Sequence, residues 1–157
     1  MTNIRSPLSA EATKTTVEEL QASLTELIDL SLAGKQAHWN VVGHHFRSVH
    51  LQLDELVAAA REHADLVAER AVALGGTPDG SPETVVAERA GGAMPTGLLK
   101  DDDAVSAIVD RLGRSAGRIR EAMRAVEETD PASQDLLDAA LLDLEKQSWM
   151  FQAMIQS

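Results

Sequence analysis

The 157-residue chain carries five histidines, twenty-five carboxylates and no cysteine. Any metal chemistry in it must therefore use imidazole and carboxylate rather than thiolate. Two pairs have the spacing for that work: His50 with Asp54, and Asp65 with Glu69. Each is an i,i+4 pair, which on a helix sets two side chains one turn apart on the same face. Neutral imidazole with carboxylate oxygens suits Fe(II), Mn(II) or Zn(II). On a helical wheel His50, Asp54, Arg61, Asp65 and Glu69 form one polar stripe about 100° wide. A plain solvated face would give the same stripe, and only the ligand chemistry of the pairs argues for more.

The two pairs are too far apart to serve one ion from one helix. Their centres lie about 15 residues apart, roughly 22 Å at the helical rise, whereas metal–ligand bonds are roughly 2 Å. A twofold axis removes the difficulty. If two copies of this helix pack antiparallel near Ala58-Ala59-Ala60, the His50/Asp54 end of one meets the Asp65/Glu69 end of the other. Two equivalent sites then arise together. The usual intra-bundle di-iron arrangement needs Glu-x-x-His. Here the residues three before each histidine are Lys35, Val41, Val42, Arg47 and Ala60, so that arrangement is not expected.

The elements that must hold these residues read as four long helices. Capping boxes at Thr15-x-x-Glu18 and Thr16-x-x-Glu19 open the first, which is expected to run to about Val41 and stop at Gly43. The stretch 1–15 before it reads as a short mobile tail. The second helix buries Phe46, Val49, Leu53, Leu56, Ala60, Val67, Ala71 and Leu74 and ends at Gly75-Gly76. The third opens on Asp101-Asp102-Asp103 and fades near Thr129. Asp130-Pro131 starts the fourth, which turns Leu137, Leu141, Leu144 and Phe151 inward.

Residues 75–100 make a long connection, with a short helix predicted over Glu83–Ala90. A link of that length can cross the full height of a bundle. The reading is therefore an all-α, ferritin-like four-helix bundle in a single domain, 1–157, with one long crossover. Gly113 and Gly117, one turn apart, are expected to mark close helix packing. His44, His45 and His63 are read as structural or surface residues, and Trp149 as core.

Composition bounds the function. A net charge of −11 with 44% hydrophobic residues suits a soluble protein that repels phosphate backbones and attracts cations. There is no apolar run long enough to span a membrane. The opening MTNIRSPLSAEATKTT has no apolar segment of the secretory kind, so a cytoplasmic protein is expected.

The segment Lys35-Gln-Ala-His38-Trp39-Asn-Val-Val-Gly43, followed by Phe46, His50, Asp54 and Asp65-x-x-x-Glu69-Arg70, resembles the signature of the Dps family. The resemblance extends over nearly the whole chain to the closing Leu144-Glu145-Lys146-x-x-Trp149. It implies a hollow homo-dodecamer that oxidises Fe(II) at dimer interfaces, usually preferring hydrogen peroxide to dioxygen, and stores the ferric mineral. Carried over, it makes His38, His50 and Asp54 ligands from one subunit and Asp65 and Glu69 ligands from its twofold mate, with two irons per site and Glu69 bridging. Trp39 would flank the site, donating electrons or shielding the chemistry. His38 enters the ligand set through the resemblance alone. Lys35 could pair with a site carboxylate when no metal is bound, or be an ordinary surface residue. An acidic pore near the start of the fourth helix would admit iron, with Asp130, Asp135 and Asp138 as candidates.

Many members of that family bind DNA through basic tails. Residues 1–16 offer only Arg5 and Lys14 against Glu11, and the chain ends Met-Ile-Gln-Ser, so DNA binding is expected to be weak or absent. A nucleoid-compacting protein with a secondary metal site is the alternative reading. Zn(II) in place of iron is another, because affinity ranking alone does not select iron.

Overall fold

A computed structural model describes residues 4–89 and 92–155. Helix α1 (Ala10–Asn40) leads through a two-residue strand β1 (Val41–Val42) into α2 (Phe46–Ala73). The crossover carries α3 (Pro82–Glu88) and β2 (Leu99–Lys100), and α4 (Asp101–Val126) and α5 (Pro131–Ile155) complete the bundle. The four long helices and the short crossover helix are those the capping signals and apolar periodicity predict. This is an all-α, ferritin-like bundle.

The first helix starts earlier than its capping boxes suggest. Ser9 is the N-cap, its hydroxyl accepting from the Ala12 N–H at 3.2 Å. Thr15 and Thr16 lie inside the helix, and Thr16 is buried against α4's end beside Thr129. Residues 10–15, assigned to a mobile tail from sequence, are thus helical.

Helix α1 packs against α2 and α4, and α5 against α4 and α2, while α2 and α4 hardly meet. The crossover climbs the α1 face. At its lower end the Gln21 side chain pairs with the Asp79 backbone in both directions, at 2.8 Å each. At its upper end β2 lies parallel to β1, with Val41 opposite Leu99 and Val42 opposite Lys100. The link therefore returns the chain to the end where α1 stops and α2 begins.

The core is a continuous set of Leu, Ile, Val and Ala from all four long helices, including Leu20, Leu27, Leu53, Leu56, Ile108, Leu112, Leu137, Leu144 and Phe151. Several side chains depart from the expected placement. Phe46 is exposed at the start of α2, and Trp149, expected in the core, is 65% exposed. Gly113 and Gly117 have open space where a Cβ would stand, so they pack against nothing among the described residues. The tight approach belongs to Gly34, where a Cβ would come within 2.8 Å of Val57 Cγ2. Small size there lets α1 and α2 close on each other.

Candidate metal half-site

The α1–α2 turn sets the geometry of the candidate site. Gly43 has φ +138°, and a Cβ on it would sit 2.4 Å from the Asp101 carboxylate. That carboxylate, nearly buried, accepts from the His45 N–H at 2.6 Å and from the Asp102 N–H at 3.1 Å. These backbone hydrogen bonds, His45's foremost, hold the Asp101 carboxyl below the usual carboxylate range. The first residue of α4 thereby pins the turn joining His38 to His50.

Across this turn the two imidazoles hold one another's helices. His38 Nδ1 lies 2.9 Å from the His50 carbonyl oxygen, and His50 Nδ1 lies 3.0 Å from the His38 carbonyl oxygen. A carbonyl only accepts, so each Nδ1 must carry the proton. Both Nε2 atoms then keep a free lone pair, the tautomer a metal ligand needs. The rings stack with centroids 3.6 Å apart and planes inclined at 21°. Phe46 closes one side, its ring 5.0 Å from that of His50.

Asp54 stands one turn further along α2, half-exposed. Its Oδ1 is 3.3 Å from His38 Nδ1 and is paired with the Lys35 ammonium. The hydrogen bond from Lys35 is the main reason its carboxyl is held below the ordinary value. Lys35, left between two readings by the sequence, thus supplies a cation to the carboxylate.

The remaining predicted residues lie elsewhere. Asp65 and Glu69 are exposed further down α2 and have no hydrogen-bond or ion-pair partner among the described residues. No three His, Cys, Asp or Glu side chains gather into a metal cage among the described residues. Of the three alanines expected at a helix crossing, Ala60 is 0% exposed and faces this chain's own core, leaving Ala58 and Ala59 outside. The Trp39 indole is 71% exposed.

Asp130 is buried, accepting from Arg70 Nη2 at 2.7 Å and from the Ser133 hydroxyl. Burial alone would raise its carboxyl, but the Ser133 and Arg70 hydrogen bonds outweigh that and lower it. So engaged, it ties α2 to the start of α5. Asp135 and Asp138 remain exposed. His63, read as structural, meets Asp143 Oδ2 at 3.1 Å.

The sequence reading missed Asp101 and the buried group of Glu26, Asp29, Arg111 and Ser115 between α1 and α4. Charged residues among the apolar positions of both helices were the available signal.

Comparison with known proteins decides the lineage. The Ferritin-like domain family matches residues 17–157. The DNA protection during starvation protein of Agrobacterium fabrum is 39% identical over 153 residues, covering 97% of this chain and 94% of that protein. The chain belongs to the Dps branch of the ferritin-like family. Its similarity to the Mycolicibacterium smegmatis DNA protection during starvation protein is 34% identity over 162 residues, 100% of this chain and 86% of that one. Solved Dps structures have the same architecture. A tetragonal form of Mycobacterium smegmatis Dps gives a TM-score of 0.94 at 33% identity, covering 100% of this chain and 96% of that one. Dps from Microbacterium arborescens in the high iron form gives 0.91 at 30% identity, with 96% and 98% covered.

Proposed function

We propose that this chain is the subunit of an iron-storing ferroxidase whose metal site is shared between two copies. The observation that carries the reading is the reciprocal pairing of His38 and His50 through their Nδ1 atoms, which leaves both Nε2 lone pairs free, with Asp54 Oδ1 3.3 Å from His38 Nδ1 on the same end of α2. One copy offers two nitrogens and one carboxylate at this end of α2. The unpartnered Asp65 and Glu69 of a mate, antiparallel across a twofold axis, complete the set with two further carboxylates.

That donor set fits iron as substrate. Imidazole holds Fe(II) with moderate strength, and carboxylates stabilise the charge gained on oxidation to Fe(III). Two ferrous ions side by side each give one electron to hydrogen peroxide, splitting the O–O bond to water with added protons. No hydroxyl radical is released, which protects the cell. The ferric product is then laid down as mineral inside a hollow dodecamer. Lys35 neutralises Asp54 before metal arrives and must swing away when Asp54 turns to a cation. Exposed Asp135 and Asp138 remain the candidates for drawing iron in.

The relatives' names speak of DNA protection. Direct binding is disfavoured here because Lys14, one of two basic residues near the N-terminus, lies in α1 3.9 Å from Glu18. Protection through iron and peroxide chemistry needs no DNA contact.

The test is anaerobic Fe(II) loading, then peroxide or dioxygen, with the ferric absorbance followed. Asp65→Ala/Glu69→Ala and His38→Ala/His50→Ala should each lose rapid oxidation. Co-assembling the two inactive variants should restore it, because every mixed dimer regains one intact site. A mixture as inactive as its parents, with mixed dimers shown to be present, would refute a shared site.

A further inference from the structure

Arg70 closes the run Asp65-x-x-x-Glu69-Arg70 but points away from its two carboxylates. Successive helical residues turn by about 100°. Asp65 and Glu69 are exposed, whereas Arg70 reaches toward the start of α5. There its Nε donates to the Ser133 hydroxyl oxygen at 3.1 Å, and its Nη2 donates to Asp130 Oδ2 at 2.7 Å. The Ser133 hydroxyl in turn donates to that same Asp130 oxygen. Ser133 and Asp130 are both buried, so the guanidinium fork is seated on an interior pair.

The seat belongs to a fixed part of the chain. The Asp130 N–H donates to the Val126 carbonyl at 2.8 Å, and the Asp130 carbonyl accepts from the Gln134 N–H at 3.1 Å. Asp130 therefore sits in the joint between the end of α4 and the first turn of α5. The buried residues on this end of α2 include Ala64, Val67 and Ala71, which are small and apolar. Apolar contact is non-directional and tolerates a helix that turns or slides slightly. A rigid planar fork with two donors does not. Arg70 thus sets the rotation and height of α2 at its carboxylate end, as Asp101 pins the turn at its imidazole end. The seat also disposes of a charge. An unpaired guanidinium one residue from Glu69 would compete with Fe(II) for that carboxylate. Asp130 pairs with it instead.

We infer that Asp130, acting through Arg70, is a positioning residue that presents Asp65 and Glu69 to the imidazoles of a second copy. The inference rests on the shared-site reading and gives it a direction. The carboxylates that Asp130 orients lie in its own chain, whereas the iron they hold faces His38 and His50 of the partner subunit. Asp130 therefore serves its partner's imidazoles and leaves its own untouched.

Two variants of the assembled protein test this. Asp130→Asn keeps an acceptor and a helix cap while removing the charge. Arg70→Lys keeps the charge but loses the fork, and it keeps the test decisive if Asp130→Asn does not assemble. Each should weaken anaerobic Fe(II) binding about tenfold and slow oxidation, with helical content unchanged. Co-assembly then locates the defect. Mixed with His38→Ala/His50→Ala chains, either variant should regain a fast phase at the wild-type rate, because its imidazoles meet undisturbed carboxylates. Mixed with Asp65→Ala/Glu69→Ala chains it should stay slow, because only displaced carboxylates are then on offer. A general loss of stability would not distinguish the two mixtures. Mixtures that behave alike, both fast or both slow, would overturn the inference, as would wild-type Fe(II) affinity in both variants. If the His38→Ala/His50→Ala and Asp65→Ala/Glu69→Ala chains fail to restore each other, the shared site itself falls and this inference falls with it.

Discussion

The Nδ1–H tautomer of His38 and His50 is fixed by backbone carbonyls, and those carbonyls are fixed by the turn between the helices. Asp101 holds that turn from a third element. Removing such a supporting partner of a metal-binding histidine commonly costs about 10–100-fold in affinity. Asp101→Ala is therefore expected to weaken Fe(II) binding by about tenfold, measured by anaerobic titration, with the cage still assembled. Asp101→Asn retains an acceptor for the His45 N–H and should lose less. Equal affinity in wild type and Asp101→Ala would show that the turn holds itself. The depressed carboxyl of Asp101 also sets a pH dependence. Its stabilisation is present above the unfolded carboxylate value, near 3.9, and is lost as pH falls through the lower folded value. Stability curves of wild type and Asp101→Asn should differ at neutral pH and converge in acid. The placement of His50, Asp54, Asp65 and Glu69 along one helix was legible from the sequence, because local periodicity alone fixes it. His38 entered the candidate set through family resemblance alone, and its meeting with His50 was not legible because it depends on how two helices join. Asp101 and Arg111 were not legible, because their partners lie on distant segments.

The helices themselves were largely legible, because apolar periodicity and the signals at Gly75-Gly76 and Asp130-Pro131 are local. The start of α1 was not. The two capping boxes at Thr15 and Thr16 lie inside the helix, Thr16 drawn into the bundle beside Thr129, and Ser9 caps it instead. Glycines show the same limit, since whether a glycine marks close packing depends on a neighbour the sequence does not name. Gly34→Ala drives a methyl into Val57 and should destabilise the chain by about 1–3 kcal/mol. Gly113→Ala meets open space within a helix and should stabilise it by about 0.5–1 kcal/mol. Chemical denaturation of both variants checks the contrast. A loss of stability in Gly113→Ala would show that this face packs against another subunit.

In the proposed assembly, a second copy would bring together what one chain keeps apart. Ala58 is exposed and Ala59 half-buried midway along α2, between the imidazole end and the carboxylate end. Ala58→Trp should block close approach of two α2 helices while leaving the core of the chain, to which Ala60 belongs, untouched. Sedimentation should then show smaller species, helical by circular dichroism, with rapid iron oxidation lost. A variant that oxidises iron normally as a folded monomer would exclude a shared site.

The charge of the whole particle governs its other partners. Each chain contributes −11, so in the proposed cage every added copy would add to the repulsion of DNA and to the attraction of cations near the surface. Non-specific DNA affinity is built from several Lys or Arg contacts to phosphate and falls steeply with salt. Arg5 is exposed, but Lys14 lies beside Glu18, so multiplying such ends over many subunits multiplies very little. A gel shift at roughly physiological salt, where charges are screened beyond about 8 Å, should show free DNA at every protein concentration tested. Appending a lysine-rich tail should create retention that disappears as salt is raised, because the cage then has cations to exchange for those on DNA. Tight retention by the natural chain under the same conditions would mean that a basic surface forms on assembly, and protection would then rest on contact as well as on iron.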